Sequence, residues 1–318
     1  MCYSQPLVPT PPDTAPGDPE RQADDGMRCT HQRVLIALLL LGLSAADRSE
    51  AQPAPARPGD DDRGRLEFVF LPAGSFLMGS PDYEWGSRND EQQHPVTITQ
   101  RFFLGKYEVT QAQWMAITGS NPSFLYDCPD CPVENITWYE AVQFCNALSK
   151  TLGFEPAYTI RDTLVAWNPA ADGIRLPTEA EWEYACRAGT GSVFNTGDCL
   201  TTDQANYLGY DPQKGCSKGL WRGQAVEVGG FPANAWELHD MHGNVSEWCW
   251  DRHAFPGSMP VVDPRGPDTG PERVIRGGNW HELGRNCRSA TRQKALPDQR
   301  FTHVGLRLAR SAPKDMRQ

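Results

Sequence analysis

Cys287 is a cysteine whose neighbours in the sequence could supply a positive field. Arg285 and Arg288 flank it and His281 lies just upstream. A positive field of that kind lowers a thiol pKa and prepares a nucleophile, provided a base stands beside it. A second chemical candidate is Cys128-x-x-Cys131. A zinc or redox reading needs a second Cys-x-x-Cys, a matching His pair or a thioredoxin-like βαβ pattern, and none is present, so this pair reads as a structural turn or a local disulfide. His239 and His242 sit in the loop-like block LHDMHGN and read as packing residues. Of ten cysteines, Cys2 and Cys29 fall in a leader; the other eight are Cys128, Cys131, Cys145, Cys186, Cys199, Cys216, Cys249 and Cys287. An even number in an exported chain implies disulfides, with the pairing left open.

The leader is residues 1–51. Residues 34–46 (VLIALLLLGLSAA) form the one sustained apolar run, too short to cross a bilayer and of signal-peptide length. Arg28, His31 and Arg33 precede it, small residues follow, and Met27 is the expected true start. The mature protein is therefore expected to be exported, with no transmembrane span. Residues 52–65 read as a flexible linker, 66–310 as one domain, and 311–318 as a tail. The net charge is −10, and no basic face is visible, which argues against nucleic acid as a partner. The high count of Gly (29) and Pro (27) without long helical periodicity favours a loop-rich α+β fold over a bundle.

The elements that must position any site are legible in part. FVFLPAGSFLMGS reads as two strands around a turn, and HPVTITQRFFLGKYEVT continues with strand character. Thr110–Gln113, Thr137–Glu140 and Thr178–Glu181 are Thr-x-x-Glu/Gln capping boxes that open three helices. The first stops at Gly119; the second buries Val142, Cys145 and Leu148; the third groups Trp182, Ala185 and Cys186 and ends at Gly189. Beyond Gly189 lie short segments broken by Gly, Pro, Asn and Asp. All ten Trp lie beyond residue 84, so one core is expected.

Eight blocks then follow in order: MGS, EVTQAQW, PVENITWYEAVQFCNALS, RLPTEAEWEYACRAGT, LHDMHGNVSEWCWD, RVIRGGNW, CRSATR and VGLRLAR. Together they resemble the formylglycine-generating-enzyme (sulfatase-modifying factor) family along essentially the whole domain. The resemblance implies an irregular α+β fold related to C-type lectin-like domains. Its best-known members oxidise a cysteine in a sulfatase Cys-x-Pro-x-Arg segment to formylglycine, with copper and O2. Two thiolates hold Cu(I) for that reaction, since soft sulfur suits the ion. In those enzymes the cysteines follow an Arg-Gly-Gly-Ser block by three and eight residues. Here, after Arg276-Gly277-Gly278-Asn279, those positions hold Glu282 and Cys287. Counted back from Arg288–Arg292, they become Asn279 and Gly284. Neither frame contains two cysteines, and Ser246 replaces the family's usual Trp, so copper is not expected.

What the resemblance implies for this chain is a cleft near Gly277–Gly278 lined by Trp280, His281, Glu282, Arg288 and Arg292, suited to a peptide segment or a small polar ligand. Glu282 there prefers a cationic or hydroxyl partner. Arg288 and Arg292 have a competing reading as a buried ion-pair set that holds the C-terminal strand. Cys287 is either a lone nucleophile or, as the family context favours, disulfide-bonded to Cys249. A family calcium loop maps onto Asp240, Gly243, Val245 and Glu247, hard oxygen ligands that suit Ca2+; the competing reading pairs Glu247 with an arginine. The family's other calcium site matches at Asn206 and Tyr207 but meets Lys218 where an Asp is needed, and a Cys199–Cys216 disulfide is expected to fasten that loop instead. The rival to a binding role is an oxidase with a rearranged site, or an accessory factor acting on a sulfatase-type cysteine.

Overall fold

The computed structural model describes residues 66–313. The leader, the Met27 start, the linker and the last five residues lie outside the described residues. In chain order come strands β1 (Phe68–Leu71), β2 (Gly74–Met78), β3 (His94–Ile98) and β4 (Phe102–Gly105). Helices α1 (Gln111–Thr118) and α2 (Trp138–Thr151) follow, then β5 (Tyr158–Arg161), β6 (Leu164–Trp167), β7 (Ile174–Arg175) and α3 (Glu179–Arg187). A long irregular stretch leads to β8 (Ser246–Arg252), β9 (Val261–Val262) and β10 (Arg273–Arg276), then to β11 (Gln293–Ala295), β12 (Val304–Gly305) and β13 (Ala309–Ser311). The fold is α+β and loop-rich.

All three helices begin as the capping boxes predict: Thr110, Thr137 and Thr178 each accept the N3 amide, and the N3 side chain returns the bond. α1 stops at Gly119, which is left-handed at φ 78°. α3 ends slightly earlier than its sequence suggests, because Ala188 already adopts the left-handed conformation before Gly189 does. The faces named from sequence are buried in α2 and α3 alike.

The sheets interleave distant parts of the chain. One has the order β1-β4-β13-β7, another β11-β10-β8-β12, a third β2-β3-β9, and β5 pairs with β6. β13 runs to Ser311, and Ala312 behind it is fully buried, so the domain includes residues assigned from sequence to a tail. The β10–β8 pairing matters most for function, since it aligns Arg276 with Glu247 and Ile275 with Trp248.

Two kinds of interior hold these elements. Around α2 the core is aromatic: Trp114 stacks on Phe144 at 4.7 Å, Tyr158 on Trp250 at 5.2 Å, and Trp138 and Trp248 are fully buried. Burying such side chains stabilises the fold by roughly 2–3 kcal/mol each before entropy is counted. The other interior is ionic. Arg276, Arg288 and Arg307 are all 0% exposed, each surrounded by carboxylates and backbone carbonyls. Arg276 reaches Glu183 and the carbonyls of Ser289, Ala290 and Thr291, fastening the chain downstream of β10.

Candidate functional site

After Arg276 the chain turns through Gly277 and Gly278, both with positive φ. A side chain at Gly278 is impossible without rearrangement: a Cβ there would lie 2.6 Å from Cys287 Sγ. The Gly243 amide donates to the Gly277 carbonyl and the Trp280 amide to the Asn244 carbonyl, both at 2.9 Å, so loop 240–245 and turn 277–280 are laced together. Asn279 Nδ2 donates to Ser246 Oγ, and its Oδ1 accepts from the His281 amide. The Glu282 carbonyl accepts from the Leu208 amide. These contacts fix the backbone that presents Glu282.

The Glu282 side chain enters a cleft of about 340 Å³, whose walls include Arg88, Gln293, Lys294, Phe301 and His303. Its Oε1 accepts from Gln293 Nε2 at 2.7 Å and its Oε2 from Asn286 Nδ2 at 2.5 Å. Burial lowers the His303 pKa, although the Glu282 carboxylate pulls it the other way. The cleft therefore presents an oriented carboxylate, the Gln293 amide, the His303 imidazole and flanking cations.

Of the residues expected to line the cleft, Glu282 and Arg292 do so. Trp280, His281 and Arg288 do not. Trp280 is half-buried, with its carbonyl accepting from Trp221 Nε1, and His281 is exposed. Arg288 is fully buried: Nη1 reaches Glu84 at 2.6 Å and Glu91 at 2.8 Å, and Nη2 reaches Glu91 and the Gly86 carbonyl. No donor is left for a ligand. The guanidinium of Arg292 is also committed, to both oxygens of Glu179 and to the carbonyls of Asp90 and Ala254. The ion-pair reading of these two arginines is the one the structure adopts.

Cys287 does not fit the nucleophile reading. It is 0% exposed, and burial followed by the Glu282 charge pushes its thiol pKa up, opposite to what a nucleophile needs. Nor is it bonded to Cys249: both are free and buried, and burial raises the Cys249 thiol as well. The disulfides are Cys128–Cys131 and Cys199–Cys216. At the other frame's second position, a Cβ on Gly284 would lie 2.7–2.9 Å from the backbone of Pro212 and Gln213, so no side chain fits there.

The two carboxylates of the expected calcium loop each have protein partners. Glu247 accepts from Arg307 on both oxygens, and from Trp182 Nε1 on Oε2 at 2.6 Å. Asp240 Oδ2 accepts from the Gly229 amide, and the Val245 amide donates to Glu108 Oε1. Asp240 Oδ1 is buried without a partner, but among the described residues no three acidic, His or Cys groups are placed to hold a metal ion. Glu247 is thus paired with an arginine, as the competing reading has it.

Sequence reasoning missed Glu108, Gln293, Asn286 and His303. Glu108 lies inside the EVTQ block and looks like an ordinary helix-flanking acid, yet it is buried and receives Asn244 Nδ2 at 2.8 Å. Burial, then Asp240 and Glu247, push its pKa well up. The polar residues around Glu282 come from a single helical turn (Asn286), the start of β11 (Gln293) and a turn (His303), elements too short for periodicity to mark them.

A profile of the Sulfatase-modifying factor enzyme 1-like domain matches residues 56–312. The chain is 35% identical over 241 residues to the Chaperone protein LppX of Paenibacillus barcinonensis, covering 67% of this chain and 78% of that protein. It is 33% identical over 282 residues to a Formylglycine-generating enzyme of Thermomonospora curvata, covering 76% and 92%. Among solved structures it resembles Treponema denticola variable protein 1, with a TM-score of 0.65 and 31% identity over 77% of this chain and 95% of that one.

Proposed function

The chain belongs to the sulfatase-modifying factor family, and from that membership we propose that it is an exported, non-copper member that binds a peptide segment or small polar ligand in the Glu282 cleft. The observation that carries this reading is the pair Glu282 and Cys287. A hard carboxylate held by two amides stands where soft sulfur is needed, and the one thiol beside it is sealed and hard to ionise. Glu282 selects a ligand carrying an ammonium, guanidinium or hydroxyl group, and the charge-assisted hydrogen bond contributes roughly 1.5–3 kcal/mol. Two disulfides support export, since such bonds persist in oxidising compartments. Among the described residues no helix is long and apolar enough to cross a membrane.

Two measurements test the reading. Incubation of the protein with copper, O2 and a Cys-x-Pro-x-Arg peptide is expected to leave the peptide mass unchanged; an aldehyde mass would establish the rival oxidase instead. A thermal-shift screen with short peptides bearing Lys, Arg or Ser is expected to find stabilising ligands whose effect disappears in Glu282→Ala. Ligands that stabilise the variant as well would place binding elsewhere.

A further inference from the structure

A second hollow, of about 480 Å³, lies against the first turn of α3 and is roofed by the segment 254–267. Its walls are largely apolar, with Met78, Ala180, Phe255, Met259 and Val261 among them. Phe255, Met259 and Val262 on the roof leave most of their apolar surface in water. The roof returns tightly at Gly266, where φ is +71° and an added Cβ would lie 2.9 Å from the Asp251 Cβ. The size and lining suit a small ligand with a hydrocarbon or aromatic body.

The polar groups in this hollow are unequally satisfied. Glu91 is paired with Arg288, Glu179 with Arg292, Glu183 with Arg276 and Asp90 with His253. Asp251 has no cation of its own. One oxygen accepts from the Glu179 amide at 2.8 Å; the other has no hydrogen-bond partner among the described residues, although the residue is only 3% exposed. The arginines that reach the hollow are engaged elsewhere: Arg292 with Glu179, Arg252 with the Gly270 carbonyl, and Arg265 over the Trp167 ring at 4.7 Å. A buried carboxyl lacking a counter-charge calls for a cation, and apolar walls call for one with a greasy body.

We propose that this hollow binds an apolar amine, with Asp251 as the counter-ion of its ammonium group. The site is separate from the Glu282 cleft and does not depend on the function proposed for it. Glu179 and Glu181 on α3, Arg273 on β10, Arg292 before β11 and Cys249 on the same strand are the charged or titratable groups that act on Asp251 or respond to it. Burial and the Glu179 charge raise its pKa to about 8, so in the empty protein it is mostly a neutral acid near neutral pH. An arriving ammonium ion displaces that proton to solvent and leaves an ion pair.

The probes are phenylbutylamine and its neutral isostere phenylbutanol, titrated calorimetrically into the full chain. The amine is expected to bind at least about tenfold more tightly, the ratio that one charge-assisted hydrogen bond supplies. It is expected to release roughly one proton near pH 7, read from the dependence of the heat on buffer, and to gain affinity up to a plateau above about pH 8. Asp251→Asn, which keeps an oxygen for the Glu179 amide, removes the amine preference while the alcohol still binds; Ala254→Trp fills the hollow and stops both. Equal binding of the two probes, no binding of either, or amine binding indifferent to pH overturns the proposal. The pH profile of the unaltered protein decides the matter even if Asp251→Asn fails to fold.

Discussion

The Glu282 cleft and the Asp251 hollow share a wall, since Asp90 and Arg292 border both. In the cleft, the acid has both oxygens occupied by neutral amides and is ringed by cations and polar groups. In the hollow, the acid has one backbone amide and an apolar lining. One carboxylate is presented ready-made; the other is kept without its charge until something supplies a partner. Burial and neighbouring charges, more than the residue type, decide which behaviour an acid shows.

The largest way to break this comparison is to remove the shared wall. Arg292→Met leaves Glu179 buried beside Arg276 alone, and the unpaired charge is expected to cost about 3–5 kcal/mol in urea denaturation. Both sites should lose ligand together in that variant. Next in size is the Cys199–Cys216 bridge, which spans 17 residues and braces the loop whose Leu208 amide holds the Glu282 carbonyl. Opening it with paired serines is expected to cost about 3 kcal/mol and to weaken binding in the cleft while sparing the Asp251 hollow.

A finer test uses pH. The folded pKa of Asp251 lies above that of the unfolded chain, so the native state holds the extra proton between the two values. Its contribution to stability is therefore intact below about pH 4 and is lost as pH rises toward about 8, by at most ~1.4 kcal/mol per pH unit. Asp251→Asn is expected to gain stability relative to the unaltered protein across that window and to run parallel above it, as followed by thermal melts. The smallest effect belongs to Glu282→Gln. It keeps the shape and one acceptor oxygen, so stability should change by less than about 1 kcal/mol while affinity for cationic ligands in the cleft falls. A large stability loss would mean that Glu282 is structural.

The helix starts were open to reading because a capping box is a local code: Thr110, Thr137 and Thr178 need only the residue three places on. The buried face of α2 followed from its spacing. Glu282 was found because a family block fixes its position relative to Gly277 and Gly278. What escaped was anything decided by long-range charge pairing. Arg288 meets Glu91 across 197 residues and Arg292 meets Glu179 across 113, so an arginine rim for a ligand and a buried clasp look alike in sequence. Cys287 misled for the same reason: arginines adjacent in the chain turn away to partners elsewhere, while the thiol is enclosed beneath Gly278. Asp251 gave no signal, since its strand neighbours Trp248 and Cys249 suggest only core.

The carbonyl clasp of Arg276 has a bearing on how the segment after β10 tolerates substitution. One guanidinium anchors Ser289, Ala290 and Thr291 at the root of the segment that carries Glu282, and it does so through main-chain oxygens, which any amino acid provides. A root secured in that manner does not rely on the side chains of those three residues. Substitutions at Ser289, Ala290 or Thr291 therefore leave these three hydrogen bonds their acceptors.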